Sequence, residues 1–432
     1  MKITRSKVLT NISWLVGGRI IQMIFSFIVG ILTARYLGPG NYGLINYGSV
    51  YTGIFTSICS LGLNSIVVKE LIDQPEKQGE TLGTIIGLKF VASILSLMSI
   101  FALTSIVDSG DVVTIQVVVL CSVGLVFQAF TIFEFWFQSK LQSKVSAIAT
   151  MIAYIIVSVY RVVLLVKGCS VQWFAVATSI DYFCIALILY IAYRKSGGPR
   201  LAFSLSRSKK MLPQSYNFIL SSLMVAIYGN TDKFMLNHIL KDETEVGYYA
   251  TAVAICSMWA FVLQAIIDSF YPTIMELHHA NYDQYKKRNV QLYAIVFYLS
   301  LATSVGIMIF AEFGIRLLYG ESYLGAVTPL RIITWYTAFS YLGVARNAWM
   351  VCENKQKYLK YIYVSAAILN VIINFTLIPR FGASGAAMAS LITQVCTSIV
   401  LPFLIKPIRE NAMMMFDAIM LKGLVWKKGA EQ

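Results

Sequence analysis

The stretch LTARYLGPGNYGLINY, Leu32–Tyr47, joins two long apolar runs, and a related stretch returns about halfway along the chain. The second copy consists of NTDKFML, Asn230–Leu236, and EVGYYATA, Glu245–Ala252, with a longer loop between its two parts. The alignment places Gly43 opposite Gly247. A motif that recurs between apolar runs in both halves of a chain is typical of an internal duplication. We therefore predict that the chain consists of two similar halves.

The composition places the chain in a membrane. Of its 432 residues 57% are hydrophobic and only 13% are charged, and the mean hydropathy is +0.69. These values lie outside the range of soluble globular proteins. The formal net charge of +14 would suggest nucleic-acid binding in a soluble protein. Here the basic residues lie between apolar runs, where membrane topology and anionic lipids account for them. We expect a polytopic membrane protein that has membrane lipids as partners and binds no nucleic acid.

Twelve apolar runs reach the length of about 20 residues that one helical crossing requires. They are 12–36, 43–67, 82–106, 113–137, 145–166, 171–193, 214–239, 247–271, 289–311, 325–349, 358–378 and 383–405. The basic loop 194–213 separates the first six runs from the last six. We therefore predict an all-α membrane protein with about 12 transmembrane helices in two six-helix lobes. The predicted N-lobe is 1–198, the cytoplasmic linker 199–213, the C-lobe 214–406 and the tail 407–432.

The distribution of basic residues predicts that both termini lie in the cytoplasm. In this orientation every cytoplasmic segment contains at least two Lys or Arg residues. The outer loops contain only Lys167, Lys241, Arg316 and Arg380. In the tail, helical spacing relates four apolar residues that stand next to three lysines: Met413, Phe416, Met420 and Leu424, with Lys422, Lys427 and Lys428. This pattern predicts an amphipathic helix on the cytoplasmic membrane surface, and a disordered basic tail is the alternative.

Polar residues within the spans form a stripe along the first helix of each half. At about 100° per residue, the stripe covers a sector of about 80° in the first helix and about 60° in the seventh. The sets are Asn11, Arg19, Gln22, Ser26 and Thr33 in the first helix, and Asn217, Ser221, Tyr228 and Asp232 in the seventh. Such stripes occur in packing seams between helices and along polar cavities. Because the stripe opens both halves, we favour a polar cavity between the two lobes.

The basic residues within the spans indicate the chemistry of this cavity. A guanidinium in the bilayer is costly unless it faces water or a partner, and its planar fork of donors suits phosphate oxygens. We therefore predict a phosphorylated, anionic substrate. Arg35 and Lys233 align in the duplication and are predicted to face each other across the outer mouth of the cavity. The full set of predicted substrate-binding residues is Arg19, Gln22, Arg35, Arg161, Lys233, Arg331 and Arg346.

Two carboxylates within the spans are candidates for coupling transport to an ion. A carboxylate in apolar surroundings can take up and release a proton near neutral pH, which favours Asp181 and Asp232. A simple pair between Asp232 and the adjacent Lys233 is the alternative. Gly83 and Gly87 form a GxxxG pair, which is typical of close packing. The chain has no nucleotide-binding or catalytic motif, and its seven cysteines lack metal-ligand spacing, so we expect no enzyme activity, cofactor or metal.

Four stretches resemble the bacterial polysaccharide, or O-antigen, flippases of the multidrug/oligosaccharidyl-lipid/polysaccharide exporter superfamily. They are the opening motif extended to Ile31–Gly48, the second copy of that motif, FYPTIM at Phe270–Met275, and NVIINFTLIPRFGASGAAMASLITQ at Asn370–Gln394. The resemblance covers nearly the full length, and the last stretch is the most specific. Members of the family usually carry an acidic residue in the segment LGPxxYG, where this chain has Gly40 and Asn41.

The resemblance implies an exporter-type fold and a function. It implies a bacterial inner-membrane protein that moves an undecaprenyl-diphosphate-linked oligosaccharide from the cytoplasmic to the outer leaflet by alternating access, coupled to protons or sodium. The polymerase and the chain-length regulator of the same pathway are further candidate partners. Three alternatives stay open: a multidrug exporter of the same superfamily, a peptidoglycan-precursor flippase, for which fourteen spans would be typical, and a membrane scaffold without transport activity.

Overall fold

The computed structural model describes residues 5–422, with side chains from residue 22 onward except those of 24, 65, 217 and 221. Apolar runs of this length form helices because lipid offers no partners for backbone polar groups. No strand occurs among the residues described. The helices are α1 (Arg5–Cys59), α2 (Asn64–Asp73), α3 (Gln78–Val107), α4 (Val112–Ser122), α5 (Gly124–Gln128), α6 (Ile132–Ser139), α7 (Ser143–Lys167), α8 (Val171–Lys195), α9 (Leu205–Leu240), α10 (Glu243–Ser257), α11 (Ala260–Ala280), α12 (Tyr282–Leu318), α13 (Val327–Cys352), α14 (Leu359–Val395), α15 (Leu401–Leu404) and α16 (Arg409–Ile419).

The described residues contain six helical segments that are long and apolar enough to cross a membrane, or seven when the bent pair α10 and α11 counts as one span. This confirms the all-α membrane fold. The segment Gln356–Leu404 has 49 residues, and at 1.5 Å per residue it would be about 73 Å long, more than twice a bilayer core of about 30 Å. It is broken at Gly382, so it accommodates two crossings. The total of twelve crossings and the side of the termini stay predictions.

Left-handed backbone marks corresponding junctions in the two halves. In the first half, residues with φ between 56° and 99° separate consecutive predicted spans at Gly38, Gly110, Leu141 and Gly168. In the second half, the equivalent junctions have φ between 51° and 92° at Lys241, Gly320, Asn354 and Gly382. The match extends to hydrogen bonds, because Gln142 N donates to Phe137 O at 2.8 Å and Lys355 N donates to Met350 O at 2.9 Å. These four pairs of corresponding turns support the predicted duplication along most of the chain, and not only at the opening motif.

The chain divides into two compact units, Met1–Asn230 and Thr231–Gln432. The division falls within α9 and not within the predicted linker 199–213. Helix α9 begins at Leu205 and contains Pro213, so it extends nine residues before the predicted seventh span, which begins at 214. Ser204 initiates the helix: its carbonyl oxygen accepts from Ser208 N at 3.1 Å, and its hydroxyl accepts from Arg207 N at 3.4 Å.

The segment 199–204 is packed along α3 of the first unit. Ala202 N donates to Gly79 O at 3.2 Å, and Ser204 N donates to Thr84 Oγ1 at 3.0 Å. The glycines of α3 make room for this backbone, since a methyl group on Gly83 would lie 2.7 Å from the nitrogen of Ala202. The GxxxG pair of α3 therefore packs closely against the linker and not against another helix.

Arg207 fastens the first turn of α9 to the same unit. Its Nη1 donates to Thr81 Oγ1 at 2.7 Å and its Nη2 donates to Gln74 Oε1 at 2.8 Å. Two carboxylates complete the surroundings, Glu70 at 3.7 Å and Glu80 at 3.9 Å. A planar guanidinium can satisfy several acceptors at fixed angles, which a lysine ammonium cannot. The basic linker is thus an ordered part of the first unit.

Each unit has an aromatic core built around a tryptophan. In the first unit Trp136 is fully buried beside Phe133 and Tyr193, and its Nε1 donates to Gln78 Oε1 at 3.0 Å. In the second unit Trp349 is fully buried in a cluster that includes Tyr293. Helix α16 of the predicted tail packs on this second core, so the part of the tail described by the structure is an ordered helix.

Candidate functional site

A buried carboxylate lies at the centre of a polar cluster in the second unit. Asp232 of α9 is only 9% exposed. Its Oδ1 accepts from Asn374 Nδ2 at 2.7 Å and from Asn370 Nδ2 at 3.0 Å. Its Oδ2 accepts from the Tyr249 hydroxyl at 2.6 Å and from the Ser390 hydroxyl. We call these five residues the Asp232 centre.

The break in α14 is what brings two parts of one helix to this carboxylate. Asn374 and Ser390 would lie about 24 Å apart along a continuous helix, yet both contact Asp232. Gly382 between them has φ 54° and ψ −132°, a backbone conformation that favours glycine. Glu245 at the start of α10 holds the break, because its Oε2 accepts from Ala383 N at 2.5 Å. The chain folds back here and places the two segments on one site.

The Asp232 centre has the chemistry of a site for a proton or a small hard cation. Carboxylate, amide carbonyl and hydroxyl oxygens are the ligands that such cations prefer. The Oδ1 atom of Asn374 is buried and accepts no hydrogen bond from the residues described. The Asn370 Oδ1 atom accepts from Asn374 Nδ2 at 3.0 Å, so the two amides and the carboxylate form one hydrogen-bonded set. Lys233 also interacts electrostatically with Asp232, so the predicted pairing of these neighbours is compatible with the structure.

A second pair of charges lies in the first unit. Arg161 of α7 interacts electrostatically with Asp181 of α8 and with Tyr42 of α1. Asp181 is partly buried, and its Oδ1 has no hydrogen-bond partner among the residues described. The two predicted coupling carboxylates thus lie in different units, and Asp232 has much the richer set of donors around it.

The other predicted residues occupy varied environments. Arg35 is exposed, three residues before the Gly38 break, and Arg331 is exposed on α13, whereas Gln22 is partly buried. The side chain of Arg19 lies outside the described residues. Arg35 belongs to the first unit and Lys233 to the second, and their predicted approach across a cavity stays a prediction.

Arg346 lies in the interior of the second unit. It is 3% exposed, although Arg331 on the same helix is exposed. Its Nη1 donates to the carbonyl oxygen of Thr397 at 3.3 Å, and its Nε has no partner among the residues described. Thr397 lies in a π-helical turn, Cys396–Val400, a conformation that often marks functional sites. In this structure Arg346 braces that turn and is not presented to solvent.

Four members of the Asp232 centre are absent from the residues predicted from sequence: Tyr249, Asn370, Asn374 and Ser390. One signal pointed to two of them. Asn370 and Asn374 are four residues apart in an apolar run and therefore lie on one face of a helix. Tyr249 and Ser390 have no comparable pattern, and only the folded chain assigns them to this site.

The described residues form an all-helical membrane protein with a buried carboxylate centre in its second unit. The chain belongs to the family described as polysaccharide biosynthesis protein, which matches residues 8–278. The resemblance to polysaccharide flippases inferred from the sequence motifs is thereby confirmed.

The chain is similar over most of its length to curated relatives. A candidate O-antigen transporter of Escherichia coli strain K12 is 22% identical over 408 residues, which cover 90% of this chain and 94% of the relative. A protein of the same description from Shigella dysenteriae is 21% identical over 281 residues, which cover 64% of this chain and 69% of the relative.

Solved structures share the fold at low identity. The lipid II flippase MurJ in an inward closed conformation aligns with a TM-score of 0.73 at 14% identity, covering 95% of this chain and 92% of that one. An inward-facing multidrug resistance MATE family transporter of the MOP superfamily aligns with a TM-score of 0.67 at 15% identity, covering 92% and 96%. The exporter-type fold implied by the sequence is therefore confirmed.

Proposed function

We propose that the protein translocates undecaprenyl-diphosphate-linked oligosaccharides from the cytoplasmic to the outer leaflet of a bacterial inner membrane, by alternating access. The observation that carries the proposal is membership of the polysaccharide biosynthesis family in a chain with an exporter-type fold. The relatives described as candidate O-antigen transporters support this class of substrate. The basic residues in the spans supply charges of the sign that a diphosphate requires.

In this proposal, Arg35, Arg161, Lys233 and Arg331 interact with the diphosphate and the sugars during transport. Arg35 and Arg331 are exposed, and Arg161 and Lys233 are partly accessible. Arg346 has a different task, because it is buried against the carbonyl oxygen of Thr397. In this structure it supports the helices that carry the site, and its predicted contact with substrate stays a prediction.

Asp232 is the proposed coupling residue. Its carboxylate binds a proton or a monovalent cation, and occupancy changes the hydrogen bonds to Asn370, Asn374, Tyr249 and Ser390. These partners belong to α10 and to both segments of α14, so occupancy alters the contacts among three parts of the second unit. A downhill ion gradient can thereby drive the conformational change.

Transport is tested with the purified protein in liposomes that carry a fluorescent polyprenyl-diphosphate oligosaccharide in one leaflet. We expect the label to appear in the opposite leaflet only with the protein present. Arg35→Ala and Arg161→Ala should slow the movement strongly. Arg316→Ala is the matched control, since Arg316 is exposed and paired with Glu312 at 3.1 Å. Equal transport by all variants would remove the arginines from the mechanism, and no movement by the native protein would reject flippase activity.

Coupling is tested in the same liposomes with an imposed proton or sodium gradient. One of the two gradients should accelerate the native protein, whereas Asp232→Asn should move substrate at the same rate with and without it. Asp268→Asn is the control, because Asp268 is an exposed carboxylate that accepts from Gln264 Nε2 at 2.8 Å. Acceleration of the Asp232→Asn variant by the gradient would exclude Asp232 as the coupling residue.

A further inference from the structure

Helix α16 has two apolar faces, and only one of them is covered by the protein. Met414, Met415 and Ala418 are buried in the core of the second unit. On the opposite side Met413, Phe416 and Met420 are 48%, 40% and 53% exposed. At 100° per residue, these three side chains lie within a sector of about 60°. A stripe of large apolar side chains this exposed requires an apolar environment outside the unit.

The position of α16 fixes where that environment is. The candidate span that precedes it ends at Leu404, and α16 begins at Arg409. Five residues cannot carry the helix far from the membrane boundary, because an extended chain covers at most about 3.6 Å per residue. Leu404 itself is 72% exposed and marks the end of the lipid-facing run. Helix α16 therefore lies close to the membrane surface.

Contacts with α12 hold the helix in one orientation. Tyr298 donates from its hydroxyl to Ile419 O at 2.6 Å, and Asn411 Nδ2 donates to the Tyr293 hydroxyl at 2.7 Å. Lys286 Nζ lies 2.6 Å from Glu410 Oε1. Because these bonds fasten the inner face at several points, the Met413–Met420 stripe cannot turn inward. The same stripe must always face away from the core.

The charges around the stripe determine which surface it fits. Lys406, Arg409 and Lys422 are exposed beside it, and Arg409 lies within the same angular sector as the apolar side chains. Of the two acidic residues of α16, Glu410 is occupied by Lys286 and Asp417 is partly buried. The outward face is therefore apolar with a basic rim, which complements anionic phospholipid headgroups and the acyl chains beneath them.

We propose that α16 is an interfacial helix that binds anionic phospholipids through the Met413–Met420 stripe and its basic rim. The apolar side chains enter the boundary between headgroups and acyl chains, and Lys406, Arg409 and Lys422 contact the phosphates. This binding is independent of the transported substrate. It also attaches the second core to the membrane surface through α12.

The first test measures lipid binding to the purified full chain in detergent, titrated with phosphatidylglycerol or phosphatidylcholine. We expect tighter binding of phosphatidylglycerol. The double variant Arg409→Gln, Lys422→Gln should weaken it about twenty-five-fold, since each basic residue at an anionic surface contributes about fivefold. The control Lys357→Gln, Lys360→Gln removes the same charge from two exposed lysines around the start of α14. An equal loss in both double variants, or no preference for phosphatidylglycerol, would overturn the proposal.

The second test locates the contact in the membrane. A photo-crosslinking amino acid replaces Met420, whose outward side chain lies outside the core, and Lys360 serves as the control position. Illumination of native membranes should attach phospholipid at position 420 in larger amount than at 360. Attachment of a protein, or of no lipid, at position 420 would overturn the proposal even if α16 remains folded.

Discussion

The close packing of Gly83 in α3 against the linker allows a quantitative prediction about stability. In Gly83→Ala the new methyl group would meet the carbonyl oxygen of Ala202 most closely, its nitrogen at 2.7 Å and its carbonyl carbon at 2.8 Å. Ordinary contacts begin at 3.4 Å, so the linker backbone must retreat by about 1 Å, and all three neighbours of the contact are backbone atoms that cannot rotate away. The displacement loosens two hydrogen bonds, from Ala202 N to Gly79 O and from Ser204 N to Thr84 Oγ1.

The expected loss can be worked out from these bonds. Each contributes about 1 kcal/mol net, so their loss costs about 2 kcal/mol, while the replacement of Gly by Ala within a helix returns about 1 kcal/mol. Gly83→Ala should therefore destabilise the protein by about 1 kcal/mol. Gly306→Ala is the matched control in α12, because a methyl group at Gly306 would meet nothing within 4 Å. That variant should gain up to about 1 kcal/mol.

The assay is equilibrium unfolding of both variants and the native protein in the same mixed micelles. A third variant, Gly87→Ala, should have an intermediate stability. Its methyl group would meet only the ring of Phe203 at 3.0 Å, and this side chain can move away. The expected order of stability is Gly306→Ala, then Gly87→Ala, then Gly83→Ala. If Gly83→Ala is as stable as Gly306→Ala, the linker does not dock on α3 as described, and the reasoning fails.

Three further substitutions test individual contacts. Arg207→Lys should lower the unfolding free energy by about 1–2 kcal/mol in the same micelles, because one ammonium cannot replace the two hydrogen bonds of the guanidinium. An unchanged unfolding free energy would show that these two bonds do not stabilise the protein. Glu245→Ala leaves the buried N–H of Ala383 without its acceptor, so both the unfolding free energy and the rate of gradient-driven transport should fall. A loss of stability with unchanged transport would show that the break in α14 has no part in the mechanism. Asp111→Ala removes the N-cap of α4, whose carboxylate accepts from Thr114 N at 3.0 Å. The loss should lower the unfolding free energy by about 1 kcal/mol while transport is retained. Lost transport would assign Asp111 a role beyond capping.

The sequence predicted the elements that depend on composition and spacing. Apolar runs long enough to span a bilayer must form helices, and the predicted boundary between 378 and 383 coincides with the break at Gly382. Asp232 could be selected as a candidate because a carboxylate within an apolar run is rare, and its role in coupling stays a prediction. These features depend on residues close together in the chain, so they are visible without the fold.

The parts that escaped prediction depend on residues that are distant in sequence. Tyr249 and Ser390 contribute a single hydroxyl each to the Asp232 centre, and hydroxyls are common in helices that have no such role. The hydrogen bond from Arg346 to the carbonyl oxygen of Thr397 joins residues 51 positions apart and has no sequence signal. Helix α9 begins at Leu205, nine residues before the predicted seventh span, because its first turn is held on the first unit by Arg207. Tertiary contacts decide each of these outcomes.

The folded-back helix at the Asp232 centre has an evolutionary consequence. One carboxylate joins α9, α10 and both segments of α14, so the residues that we propose bind the coupling ion also hold the second unit together. A substitution that changes the preferred ion would alter the assembly of these helices at the same time. Changes of ion preference in this lineage are therefore expected to appear as coordinated sets of replacements, with Asn370, Asn374 and Ser390 varying together and seldom one by one.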